Sequence, residues 1–297
     1  MTGFVVSTSF GQVRLRVASA SHVGMVRTVN EDALTAEPPL FAVADGMGGH
    51  AFGERASAQA VQTLRSRIDP GRPTDSTQVI AAIREANTAV RALAASADGE
   101  KVIAGTTLTG VALVQQHPAS RPQWMVFNLG DSRVYRWNGV AGGLEQISLD
   151  HSLVQELLDA GLIDERGARR HPERNVITRA LGAADEVNAQ AWLLPADHPQ
   201  TFLICSDGLT KELDDARIAE LLALLEPGEE PGVVVDHLLA AALESGGTDN
   251  ISIVLLQAER LAADGPDPAD AALFGGIDEH THERRLSPEL DDTRPRV

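Results

Sequence analysis

Apolar and polar residues alternate along residues 12–21, QVRLRVASAS, a spacing that predicts a strand with one polar face. Leu40-Phe41-Ala42-Val43-Ala44 is instead an unbroken apolar run, as expected of a strand buried on both faces, and it ends at Asp45. TTLTGVALVQ, QWMVFNLGD, RVYRW, TFLICSDG and NISIVLLQ read as further strands, rich in β-branched and aromatic residues and bounded by turn signals. Two stretches carry the helical period. In 54–68, Ala56, Ala60, Val61, Leu64 and Ile68 share one face. In 76–95, Val79, Ile83, Ala86, Val90 and Leu93 recur at steps of four and three, with Asp75 or Ser76 as the N-cap.

The strands cluster, several separated only by short turns, as at Gly130-Asp131-Ser132. That grouping predicts an α+β fold of mainly antiparallel sheets with segregated helices, not a doubly wound parallel sheet. No internal repeat is present. From Ala262 the chain turns rich in Pro, Asp and Glu and loses its period. Residues 1–261 are therefore expected to form the folded domain and 262–297 a flexible acidic tail, within which Ala271 to Phe274 could dock.

Charge narrows the choice of partner. The 297 residues include 42 acidic and 25 basic side chains, a formal charge of −17. A nucleic-acid footprint needs clustered Lys and Arg, and an anionic membrane repels an acidic surface, so neither partner is expected. No run approaches the roughly 20 apolar residues that span a bilayer. The N-terminus, MTGFVVSTSFG, lacks the basic start of a signal peptide. A single cysteine, Cys205, excludes an intrachain disulfide and a Cys-rich zinc module. A soluble, cytoplasmic protein is the expectation.

Carboxylates mark the ends of the predicted strands. Asp45 closes LFAVAD, Asp131 closes FNLGD, Asp207 closes FLICSD, and Asp249 stands just before NISIV; Glu31 and Asp32 follow an arginine in RTVNED. Singly, an Asp beside Gly is an ordinary turn residue. Together, if the strand ends converge, such charges repel strongly away from water and require something positive among them. Oxygen donors without a Cys or His pair at ligand spacing suit Mg²⁺ or Mn²⁺ and not Zn²⁺. Gly46, without a β-carbon, can then bring its carbonyl against the cation that Asp45 holds. A dinucleotide cradle fits poorly, because the glycines of DGMGGHAFG are not spaced G-x-G-x-x-G and Asp45 would face a pyrophosphate.

In order along the chain, SHVGMVRTVNEDAL, VADGMGGH, GTTLTG, NLGDSRVYRW, DHSLVQELLDAGLI, RNVITRALG, ICSDGLT and GGTDNISIVLL closely resemble the metal-dependent Ser/Thr protein phosphatases of type 2C in their bacterial form, from about Val13 to Gln257. The resemblance implies a four-layer α-β-β-α sandwich of two mainly antiparallel sheets flanked by helices. It implies two Mn²⁺ or Mg²⁺ ions, with a third in bacterial relatives. By position, Asp45 resembles the carboxylate that bridges the metals and Gly46 a carbonyl ligand, while Asp207 and Asp249 resemble direct ligands. Glu31 and Asp32 resemble residues that act through bound water. Asp131, with Asp207, resembles the third-metal site. Arg27 matches the arginine that holds the substrate phosphate, and His50 the proposed general acid.

The implied reaction is hydrolysis of phosphoserine or phosphothreonine in proteins by a metal-activated water, opposing a bacterial Ser/Thr kinase. The implied partners are phosphorylated proteins, and with them such a kinase and its substrates; a monomer is expected. A cysteine phosphatase would need Cys-x5-Arg, and the residue six after Cys205 is Lys211. Residues 150–182 correspond to the family's flap, where Arg166, Arg169, Arg170, Arg174 and Arg179 make a basic patch that either selects acidic or doubly phosphorylated substrates or simply faces solvent. Two alternatives stay open. One is a phosphatase-like binding module without catalysis, whose signature would be missing ligands; the other is a metal-dependent phosphodiesterase.

Overall fold

Two antiparallel sheets lie face to face, and helices cover the outer side of each. The computed structural model describes residues 2–48, 52–95, 104–225, 230–261 and 284–285. The first sheet runs in the order β1 (Thr2–Thr8), β2 (Gly11–His22), β12 (Ile251–Leu261), β11 (Gln200–Cys205), β8 (Arg133–Trp137) and β9 (Leu144–Gln146). The second runs β13 (Arg284–Arg285), β10 (Gln190–Pro195), β7 (Gln123–Leu129), β6 (Leu108–Val114), β4 (Leu40–Met47) and β3 (Asp32–Glu37), with the short β5 (Gly105–Thr106) beside β4. Helices α1 (Phe52–Arg67) and α2 (Ser76–Ala95) cover the second sheet. On the first sheet lie α6 (Asp207–Glu212), α7 (Asp215–Leu222) and α8 (Pro231–Ser245). Three short helices, α3 (Gly139–Gly142), α4 (Leu153–Asp159) and α5 (Glu165–Arg170), sit in connections. The four-layer α-β-β-α sandwich is thus present.

The period of two explains the unbroken apolar runs. In β4, Leu40, Ala42 and Ala44 point toward α1 and α2, while Phe41 and Val43 point between the sheets. In β11, Phe202 and Ile204 face the inter-sheet core, and Leu203 and Cys205 face the other helical layer. Strand β12 repeats the division with Val254 and Leu256 inside and Ile253 and Leu255 outside. A strand covered on both faces has no polar side to display. Trp124 and Phe202 meet edge to face across the middle layer, ring centroids 5.6 Å apart. The cap of α2 is Asp75, whose Oδ1 accepts from the Thr77 backbone N–H at 2.7 Å.

One local expectation changes. The turn at Gly130-Asp131-Ser132 makes no hairpin: β7 pairs with β6 and β10, whereas β8 pairs with β11 and β9 in the other sheet. Turn chemistry reverses the chain but does not choose the partner, and here the turn carries the chain from one sheet to the other. In the 150–182 segment, α4 forms behind its Ser152 cap, yet its Leu153, Leu157 and Leu158 are only half-buried. Among the described residues, no helix is long and apolar enough to cross a membrane. Apart from β13, the 262–297 tail lies outside the described residues.

The base of that segment is tied to β8 by charge. Arg133 donates from Nε and Nη2 to both oxygens of Asp150, at 2.7 to 3.1 Å, and from Nη1 to the Tyr135 hydroxyl at 2.9 Å. The pair is largely shielded, so removing one partner strands the other charge. We expect Arg133→Leu to cost about 3 kcal/mol in urea unfolding, and Arg133→Leu/Asp150→Leu to recover most of that loss. Equal destabilisation by the single and the double variant would show that the ion pair is not the source.

Candidate active site

Five chain segments deliver the predicted carboxylates to one end of the sandwich. Asp32 opens β3 and Asp45 lies near the end of β4, and the two are register partners across that ladder. Asp131 occupies the β7–β8 turn, Asp207 begins α6 directly after β11, and Asp249 precedes β12. Hydrogen bonds from small polar side chains pin the backbone around them. The Asp45 N–H donates to Thr107 Oγ1 at 2.9 Å, and Thr106 Oγ1 donates to the Asp45 carbonyl at 2.9 Å. Ser206 Oγ donates to Asp32 Oδ2 at 2.8 Å.

Glycine lets these segments touch. A β-carbon on Gly46 would overlap the Gly53 carbonyl, and one on Gly208 would overlap the Asn250 carbonyl. Gly46 and Gly53 therefore bring the start of α1 against the end of β4, beside Glu31, whose carbonyl accepts from the Gly46 N–H at 3.1 Å.

Crowding shows in the acidity of the groups. Burial first, then the Asp207, Asp32 and Asp131 charges, push the Asp45 carboxyl well above its ordinary range. Burial and Asp207 raise Asp131 to about 7, and burial raises Asp32 to about 6 against the donor bond from Ser206. Glu31 moves up as well, chiefly through burial. Asp249 goes the other way: burial alone would raise it, but the Lys211 ammonium bonded to it, with Arg27, holds it below the usual value.

Among the described residues, Arg27 and Lys211 bond to Asp249 and Asp207. Arg27 clasps Asp249, Nε to Oδ1 at 2.9 Å and Nη2 to Oδ2 at 3.1 Å. Lys211 Nζ lies 2.5 Å from Asp207 Oδ2 and 2.8 Å from Asp249 Oδ2. The buried Asp32 Oδ1, Asp131 Oδ1 and Asp207 Oδ1 have no hydrogen-bond partner among the described residues. Buried carboxylate oxygens without donors fit a site built for a hard cation. As the side chains stand, no group of three His, Cys, Asp or Glu among the described residues makes a ready coordination sphere, so the fit rests on those unpartnered oxygens.

The structure thus brings Asp32, Asp45, Gly46, Asp131, Asp207 and Asp249 together with Glu31 and Arg27; His50 lies outside the described residues. It also shows residues that sequence reading passed over. Asn250 accepts from the Glu31 N–H at 2.8 Å and donates to the Val23 and Val29 carbonyls at 2.9 Å, so it holds the loop that presents Arg27. His151, pushed down to about 4 by burial and the nearby Arg179, is neutral near pH 7 and accepts from the Gly130 N–H at 3.1 Å, steadying the turn of Asp131. Lys211 is a third such residue, and its place four residues after Asp207 at a helix start is the sequence signal that finds it.

The chain is similar to known proteins in both sequence and fold. The sequence pattern described as Protein phosphatase 2C matches residues 21–244. The serine/threonine protein phosphatase PstP of Mycobacterium tuberculosis is 36% identical over 245 residues, 81% of this chain but 44% of PstP, so the chain spans less than half the length of that relative. The crystal structure of the M. tuberculosis phosphatase PstP/Ppp superimposes with a TM-score of 0.72 at 34% identity, covering 83% of this chain and 99% of that one. A PstP catalytic domain crystallised in complex with two manganese ions gives a TM-score of 0.71 at 34% identity, with the same coverage.

Raised carboxylate pKa values carry a pH signature. In metal-free protein the folded state keeps protons on Asp32 and Asp131 that the unfolded chain releases near pH 4. Their contribution is full below that pH and is lost as pH rises through about 6 and about 7. Urea unfolding in chelator should therefore show the parent losing on the order of 1–3 kcal/mol more than Asp131→Asn between about pH 5 and pH 8. Parallel pH profiles for the two proteins would contradict the reading.

Proposed function

This chain belongs to the protein phosphatase 2C family, and we propose that it hydrolyses phosphoserine and phosphothreonine in proteins with the help of Mn²⁺ or Mg²⁺. The observation that carries the reading is the gathering of Asp45, Asp131, Asp207 and Asp249, with buried carboxylate oxygens lacking donors, beside a half-exposed Arg27. We assign Asp45, the Gly46 carbonyl, Asp207 and Asp249 as the groups that hold two divalent ions, Glu31 and Asp32 as groups acting through water, and Asp131 with Asp207 as a third site. When bound, such ions supply Lewis acidity toward a phosphoryl oxygen and toward water.

The chain's own side chains do the rest. Arg27, planar and permanently charged, has the fork that grips two phosphate oxygens, and its clasp on Asp249 shows that it reaches the carboxylate cluster. Asn250 fixes the loop beneath it, so the phosphate is oriented as well as held. The departing serine or threonine oxygen needs a proton, which we assign to His50, an imidazole suited to general-acid work near neutral pH. The domain proposed is 1–261, with 150–182 as a flap beside the site. The flap's base is bonded to the Asp131 turn, His151 N–H to the Gly130 carbonyl at 2.9 Å. Its Arg166, Arg169, Arg170, Arg174 and Arg179 are all exposed, as a surface that meets acidic phosphoproteins requires. A bacterial Ser/Thr kinase is the natural source of such substrates.

Turnover of a phosphothreonine peptide, bis-p-nitrophenyl phosphate and a nucleotide, each with Mn²⁺ and with chelator, tests this directly. We expect metal-dependent cleavage of the peptide, at least about 100-fold slower in Asp45→Asn and Asp249→Asn. Arg169→Glu/Arg170→Glu should slow acidic phosphopeptides while sparing p-nitrophenyl phosphate. Preference for the diester would favour a phosphodiesterase, and full activity in chelator would end the proposal.

A further inference from the structure

Lys211 has no part in the chemistry above, yet it stands inside the site. It lies one turn after Asp207 on α6, and its ammonium spans Asp207 Oδ2 and Asp249 Oδ2, two carboxylates from different elements. Arg27 engages Asp249 as well, so both oxygens of that carboxylate already face cationic donors. Asp32, by contrast, is bonded by the neutral Ser206 hydroxyl, and among the described residues Asp131 Oδ1 and Asp207 Oδ1 have no partner. Positive charge from the chain is therefore unevenly spread. Both oxygens of Asp249 and Oδ2 of Asp207 are met by the chain's own cations, whereas Asp32 Oδ1, Asp131 Oδ1 and Asp207 Oδ1 are not.

We propose that Lys211 is a built-in placeholder for the ion bound between Asp207 and Asp249, holding the two carboxylates together in metal-free protein and withdrawing when that ion binds. The inference rests on the metal-site reading above. An ammonium and a divalent cation within a few ångströms repel strongly in a partly desolvated site, so the same two oxygens cannot serve both. Lysine is suited to leaving: it carries a compact charge on a flexible four-carbon stem, and its side chain is 29% exposed, with a route to solvent. The consequence is a graded site. Binding at the Asp207–Asp249 position competes with an internal ligand at fixed high local concentration, and its apparent affinity drops by that competition. Metal-free protein gains in exchange a link between the start of α6 and the start of β12.

Titration calorimetry with Mn²⁺ and thermal unfolding in chelator, on the parent, Lys211→Met and Lys211→Arg, test this without any activity measurement. Lys211→Met keeps the stem and deletes the charge. It should tighten the weaker Mn²⁺ site by roughly tenfold or more. It should also leave the stronger site unchanged and unfold at lower temperature in chelator. Lys211→Arg should stay near the parent in both readouts, and Lys211→Gln serves as the neutral variant should Lys211→Met fail to fold. If the parent binds Mn²⁺ and the neutral variant binds it no more tightly, the placeholder role is overturned while the metal site stands. If no variant, nor the parent, binds Mn²⁺, the metal reading falls and this inference with it.

Discussion

Like charges held close together away from water are the constraint on which this structure turns. Asp32, Asp45, Asp131, Asp207 and Asp249 come from five separate segments, and unconstrained they would drift apart. The chain offsets their repulsion in two ways. Toward Asp249, Arg27 and Lys211 supply positive charge directly. At Asp45 and Asp131, burial and the neighbouring carboxylates let the carboxyls keep their protons to higher pH, and Asp131 Oδ1 has no hydrogen-bond partner among the described residues. Either device could be replaced by a bound divalent ion, which would neutralise more charge in less space.

A cluster under that tension needs a stiff frame. Three apolar layers, one between the sheets and one under each helical cover, lock the strands in register and so fix where their ends fall. The ends themselves are fastened by short polar side chains: Thr106 and Thr107 around Asp45, Ser206 at Asp32, and Asn250 beneath the Arg27 loop. Glycines at 46 and 208 allow backbones to pack where any side chain would intrude. Preorganised polar groups of this kind need no rearrangement when a substrate arrives, which is how rigid scaffolds lower reaction barriers.

Much of this was legible in the sequence, because the features involved are local. Strands buried on both faces must be apolar throughout, so 40–44, 202–205 and 251–256 announce themselves. Carboxylates at their ends stand out against that background, and their motif order carries the resemblance. What stayed hidden depends on three-dimensional neighbours. The Gly130-Asp131-Ser132 turn looks the same whether its flanking strands pair or part into different sheets. The leucines of α4 keep a helical period although little packs on them. Asn250 and His151 act through bonds to the main chain of distant segments, Val23, Val29 and Gly130, which no spacing reveals. The placement of Lys211 is hidden for a related reason. A lysine in a helix is ordinarily a solvated surface residue, and only the meeting of α6 with the start of β12 turns it inward.

Function follows from where charge is left over. A site with excess negative charge, unpartnered buried oxygens and one arginine fork at its lip is arranged to take cations and then a phosphate. The most direct check is anomalous diffraction at the manganese edge from crystals grown in Mn²⁺. The account predicts anomalous peaks in contact with the Asp45 carboxylate, one of them also touching Asp207 and Asp249 with the Lys211 ammonium moved away. Crystals saturated with Mn²⁺ that show no peak beside Asp45 would contradict it.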